Sequence, residues 1–142
     1  MGKKRIVKKD GESGSESQPP VSLVSKKRVD IGVLNVQSTY NNTKVVLTDT
    51  KGNTLCWSSS GSLGFRGAKK GTPFSAAKVG ETVGVKAQAM GIKEVSVVVR
   101  GVGSGRESSI RGFLSKGINL TSIRDATPVP HNGPKPKKPR RV

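Results

Sequence analysis

Gly101, Gly103 and Gly105 fall in the run GVGSGRES, where a strand would hand over to a helix. Glycines there leave the backbone amides uncovered, and a helix start with free N–H groups is a ready phosphate site. Asp125 follows about 20 residues later, close to where a dinucleotide fold keeps its ribose-binding acid. The spacing, however, is G-x-G-x-G rather than G-x-G-x-x-G, and too little chain remains for a second strand–helix–strand half. Dinucleotide binding is therefore not expected. What survives is a phosphate site flanked by Arg106 and Arg111, for which an RNA backbone is the economical ligand. A plain tight turn is the competing reading.

Hydrolysis assisted by metal ions needs several carboxylates converging on two ions. The candidates are Asp30, Asp49, Glu81, Glu94, Glu107 and Asp125. Asp49 belongs to a turn, Asp30 stands at a strand entrance, and Glu107 sits in S-x-x-E capping-box spacing with Ser104. The single histidine, His131, has no cysteine or carboxylate neighbour, so neither a metal centre nor a catalytic triad is indicated. No enzymatic activity and no cofactor are expected.

Charge is the stronger signal. Twenty-six lysines and arginines face nine acids in 142 residues, a formal charge of +17. Such an excess favours a polyanionic partner, most often nucleic acid. A membrane partner would call for an apolar span or a basic amphipathic helix with bulky apolar residues, and neither is evident. One cysteine, Cys56, fits a reducing compartment. With no apolar signal region, and with acids at Asp10, Glu12 and Glu16, the expected location is the cytoplasm.

The basic residues recur where the backbone should be irregular: Lys44 beside YNNT (40–43), Arg66, Lys69 and Lys70 in GSLGFRGAKKGT (61–72), Arg106 and Arg111, and the tail. The elements that would position them read clearly. VDIGVLNVQST, TKVVLTDT and NTLCWSSS alternate as three strands joined by turns, YNNT being turn chemistry because Asn tolerates left-handed backbone. Thr72 and Pro73 are an N-cap and first helical residue, and Gly91 is a helix stop. Between them Ala76, Val79, Val83, Ala87 and Met90 form an apolar face, with Gly80 and Gly84 allowing close approach to a sheet. IKEVSVVVRGV is a fourth strand, a second helix runs from GSGRES to Gly117, and INLTSIRDAT is the fifth strand. The order β-β-β-α-β-α-β implies an α/β fold, a ribonuclease-H-like mixed sheet of five strands with packed helices. Residues 1–28 read as a basic extension, disordered when free, residues 29–127 as the domain, and 128–142 as an extended tail.

YNNT, TDTKGNTLCWSSSGSLGFRGAKKGTPFSAAKV, GVGSGRES and DATPVPHNGPKPKKPRRV together resemble the S-eleven family of small-subunit ribosomal proteins over residues 29–142. The resemblance implies a catalytically inert ribonuclease-H-like domain on the platform of the small subunit. It implies small-subunit (16S-type) rRNA as partner, proximity to the mRNA exit path and the E site, a role in assembly, and proteins S-seven, S-eighteen and S-twenty-one as neighbours. Carried onto this chain, the rRNA-facing positions are Asn41 and Asn42, then Phe65, Arg66 and Gly67 of FRG. They continue with Gly105 and Arg106, and with His131, Asn132 and Gly133 of the tail. Competing readings are an RNA- or DNA-binding regulator acting off the ribosome and a ribonuclease-H-like nuclease.

The tail TPVPHNGPKPKKPRRV holds five prolines, with Lys135, Lys137, Lys138, Arg140 and Arg141 among them. Proline removes donors and fixes φ, which keeps such a segment extended and lowers the entropy lost on ordering. Spaced cations on an extended thread meet phosphates in an RNA passage. Asn132-Gly133 is the chain's one Asn-Gly pair. Attack of the glycine nitrogen on the Asn132 amide carbon would give a succinimide and then mostly isoaspartate.

Overall fold

Side-chain alternation decides which face of each strand is buried. In the computed structural model, which describes residues 28–141, strand β1 (Ile31–Ser38) buries Leu34, Val36 and Ser38 and turns Asn35 and Gln37 the other way. β2 (Thr43–Thr48) buries Thr43, Val45 and Leu47 on the same side, and β3 (Thr54–Ser59) buries Cys56 and Ser58. These three make an antiparallel meander. Helix α1 (Pro73–Met90), β4 (Glu94–Gly101), helix α2 (Gly105–Leu114) and β5 (Asn119–Asp125) complete the order β-β-β-α-β-α-β expected from the pattern. β4 pairs in parallel with β1 and with β5, giving one mixed sheet in the order β3-β2-β1-β4-β5.

Both helices lie on the face carrying Leu34, Val36, Val45, Leu47, Val95 and Val97, each at most 1% exposed. Val79, Val83 and Phe113 close the core from the helix side. The opposite face is open, so β1 is buried on one side only, and Ile31 is half exposed.

The start and end of α1 follow the sequence. Thr72 Oγ1 accepts the Ser75 N–H at 3.4 Å, Pro73 is the first helical residue, and Gly91 takes φ 81° at the stop. Ala76, Val79, Val83 and Ala87 are buried as the spacing predicts. Met90, the fifth of that stripe, is exposed, because it sits in the last turn and borders a groove beside β3 rather than the core.

Gly80 and Gly84 allow close approach, but to α2 and not to the sheet. A Cβ on Gly80 would stand 2.1 Å from the Ser109 carbonyl oxygen, and one on Gly112 would stand 2.4 Å from that of Ala77. The helices therefore touch backbone to backbone. The capping box is absent as well. Ser104 has helical dihedrals and its hydroxyl donates to the Gly71 carbonyl at 2.8 Å, while Glu107 pairs with Arg111 one turn on. A tertiary acceptor has replaced the local one. In the YNNT turn neither asparagine is left-handed: Thr39 ties the turn, its N–H donating to the Asn42 carbonyl at 2.8 Å and its Oγ1 accepting the Asn42 N–H at 3.1 Å.

Candidate nucleic-acid interface

The parallel strands β1, β4 and β5 end on one rim, and the irregular segments meet there. The Gly103 N–H donates to the Ser38 carbonyl at 3.0 Å, and Ser104 Oγ reaches Gly71. A Cβ on Gly71 would lie 2.0 Å from the Tyr40 carbonyl oxygen, and one on Gly103 would lie 2.3 Å from that of Thr39. Only glycine fits at these two crossings, so the 39–42 turn, the 60–72 loop and the 101–105 loop pack as one body. The buried Ser75 hydroxyl lies within hydrogen-bond reach of the Lys70 and Thr72 carbonyls, and Ser60 donates to it at 3.3 Å. This fastens the basic loop to the start of α1.

On that body Asn41, Lys44, Arg66, Gly67 and Lys69 are exposed, and Lys70 is half-buried, in a short 3-10 turn spanning Gly67–Gly71. Phe65 is half-buried because its ring meets Phe74 edge-on, with centroids 6.1 Å apart. The ring anchors the loop and leaves Arg66 outward. Asn42 is half-buried, and its Oδ1 is a buried acceptor with no partner, the only such side-chain atom among the described residues. An unmet acceptor of this kind costs roughly 1–3 kcal/mol.

The structure gives the two arginines near the α2 start other work. Arg106 folds back: Nη1 donates to the Gly101 carbonyl at 2.6 Å and Nη2 to Asp125 Oδ2 at 2.5 Å. Arg111 lies further along α2, exposed and paired with Glu107. Buried Gly105 keeps the entrance narrow, for a Cβ there would come 2.4 Å from Thr43 Oγ1. The glycine loop is thus chiefly a packing device, with its guanidinium turned onto the chain.

Asp125 is the hub that sequence reasoning missed. Its Oδ1 accepts from the Thr127 hydroxyl at 2.6 Å and the Thr127 N–H at 2.9 Å, and Thr127 Oγ1 accepts the Gly101 N–H at 3.3 Å. Those Thr127 hydrogen bonds, followed by that from Arg106, hold its carboxyl well below the usual carboxylate range. The Asp-x-Thr spacing at 125–127 was the available signal, since an acid commonly takes the N–H two residues on. The clamp fixes where the chain leaves β5, at the basic rim.

From Pro128 to Arg141 there is neither helix nor strand, and His131, Asn132, Gly133, Lys135, Lys137, Lys138, Arg140 and Arg141 are all exposed. Asn132 adopts φ 56°, the one non-glycine residue with positive φ among those described. The basic extension expected at 1–28 lies, apart from Arg28, outside the described residues. Among the described residues no three His, Cys, Asp or Glu gather as a metal site, and no helix is long and apolar enough to cross a membrane. Burial pushes the Cys56 thiol up, leaving it a poor nucleophile. A family model described as Ribosomal protein S11 matches residues 32–141.

Proposed function

As the chain belongs to the ribosomal protein S11 family, we propose that its basic rim and its clamped tail are two halves of one rRNA-holding surface. Members of the family are structural proteins of the small ribosomal subunit that bind its rRNA, and this chain is one of them. The finer reading is a seat on the platform, beside the mRNA exit path and the E site. There the protein supports assembly and meets the neighbours S-seven, S-eighteen and S-twenty-one.

The observation that carries this is the Arg106–Asp125–Thr127 clamp, which launches five cations from the same rim that holds Lys44, Arg66, Lys69 and Lys70. Asn41, Asn42, Phe65, Gly67 and Gly105 frame that rim, Arg111 adds an exposed cation further along α2, and His131, Asn132 and Gly133 form the first bend of the thread. Phosphate contacts of this kind position a protein on RNA rather than read bases.

Gradient fractionation of cells expressing R66Q/K69Q/K70Q tests the reading. The wild-type chain should travel with small subunits, and the variant should shift toward the free fraction. A variant that incorporates as fully as wild type would remove the rim from the account. Asn132 is in addition a deamidation site: Gly133 nitrogen attacks the Asn132 side-chain carbonyl, ammonia leaves, and hydrolysis yields mainly isoaspartate. Peptide mapping of mature particles should find that species at 132, and wholly unmodified Asn132 would exclude it.

A further inference from the structure

The sheet face away from the helices carries a second basic row. On it Lys44 of β2 and Arg100 of β4 flank Gln37 of β1 through the strand register. Arg124 of β5 is register partner to Val98, which precedes Arg100 by two and points the same way. All three cations are exposed, and none takes part in an ion pair among the described residues. Across four strands spaced about 4.8 Å apart, the row is about 14 Å wide. The one acid that this face carries within the strands, Glu94, sits at the other end of β4, six residues or about 20 Å from Arg100.

Apolar groups lie beside the row. Trp57 of β3 is register partner to Val46 of β2 and is 53% exposed. Asn35, Gln37, Lys44, Val46, Val98 and Arg100 line a shallow groove of about 110 Å³. An exposed indole on the same sheet face as valines, two primary amides and three cations has the makings of a surface for unpaired RNA. The ring offers a stacking face, the amides offer donors and acceptors to base edges, and the cations meet phosphates. A protein partner would suit an apolar face better, whereas the charge here complements a polyanion.

We propose that this open sheet face binds a single-stranded RNA segment, with a base stacked on Trp57 and the backbone running over Lys44, Arg100 and Arg124. It rests on the RNA-binding reading above; apart from Lys44, which stands where the rim meets the sheet face, it uses a different surface from the rim and the tail. Trp57 is the only tryptophan, so its fluorescence reports on this face.

Titrating the full chain with a six-nucleotide single-stranded oligoribonucleotide should quench Trp57 saturably. R100Q/R124Q, in the full chain, should weaken that quenching and lower the salt slope by about 1.4. W57A, followed by anisotropy of a labelled oligonucleotide, should weaken binding ~10- to 100-fold, the usual loss of one stacked base. Neutralising the tail (K135Q/K137Q/K138Q) should leave the quenching in place. Circular dichroism verifies that each variant is folded. Absence of quenching, or quenching that R100Q/R124Q leaves unchanged and the tail variant abolishes, overturns the proposal. The latter result would leave the tail-based reading standing, so the two fail separately.

Discussion

Replacing Gly80 by alanine probes how tightly the two helices hold the rim. The new Cβ would lie 2.1 Å from the Ser109 carbonyl oxygen, 2.9 Å from Phe113 N and 3.0 Å from Ser109 C. All three are backbone atoms, so no rotamer change relieves the contact. The helices would have to separate by about 1 Å, and gaps of that size forfeit a quarter to a half of each dispersion contact. Overpacking costs typically 1–3 kcal/mol, and the upper end applies here because rigid backbone is struck. Alanine's helix propensity returns ~1 kcal/mol. The net is a loss of about 2 kcal/mol, or roughly 6–10 °C in Tm for a domain of this size. Gly84→Ala is the control, for its closest atom is Lys116 Cγ at 2.8 Å, part of a flexible side chain, although the Phe113 carbonyl stands at 3.1 Å. G84A should fall by much less than G80A. Thermal melts by circular dichroism and calorimetry read both. A G80A protein that melts at or above wild type would refute backbone contact between α1 and α2, and with it this route to positioning Gly105.

Arg106→Gln should loosen the tail's exit while leaving the domain folded. Its partner is exposed, so stability should change little, while hydrogen exchange at the Thr127 amide should speed up markedly. Unchanged exchange would mean that the clamp does not need the guanidinium. Acid should act on the same clamp. The Asp125 carboxyl is depressed in the folded chain, first by Thr127 and then by Arg106, so its contribution is complete above the unfolded value near 3.9 and is lost as pH falls below it. Melting from pH 6 to 2 should show that loss in wild type and a smaller one in D125N; parallel curves would exclude Asp125. Asp49, held low by Asn53, supplies the acid sensitivity that D125N retains.

How far the sequence carried depended on whether a feature was local. Thr72, Pro73 and Gly91 mark α1 because capping needs only neighbours in sequence, and strand alternation marks the buried face of β1 and β2. Ser104 misled because its hydroxyl bonds to Gly71, 33 residues away, in preference to its own helix. Gly80 was legible as a close approach but not as to what, since the approaching backbone belongs to α2. The basic loops were visible as composition. A shared rim followed from the strand order, but the packing of those loops into one body did not, because it rests on the crossings at Gly71 and Gly103. The row of Lys44, Arg100 and Arg124 needed the register of three strand pairs before it existed at all.

The central claim is that tail and rim bind one RNA together, and the salt dependence of binding tests it most directly. The full chain and a full-length variant with Lys135, Lys137, Lys138, Arg140 and Arg141 changed to glutamine would be titrated with a small-subunit rRNA central-domain fragment across a salt series. At roughly 0.7–0.9 per phosphate contact, five cations should account for about 4 units of slope, so the variant should lose that much and bind more weakly while staying folded. Equal slopes for the two proteins would contradict the account and leave the tail a solvated appendage.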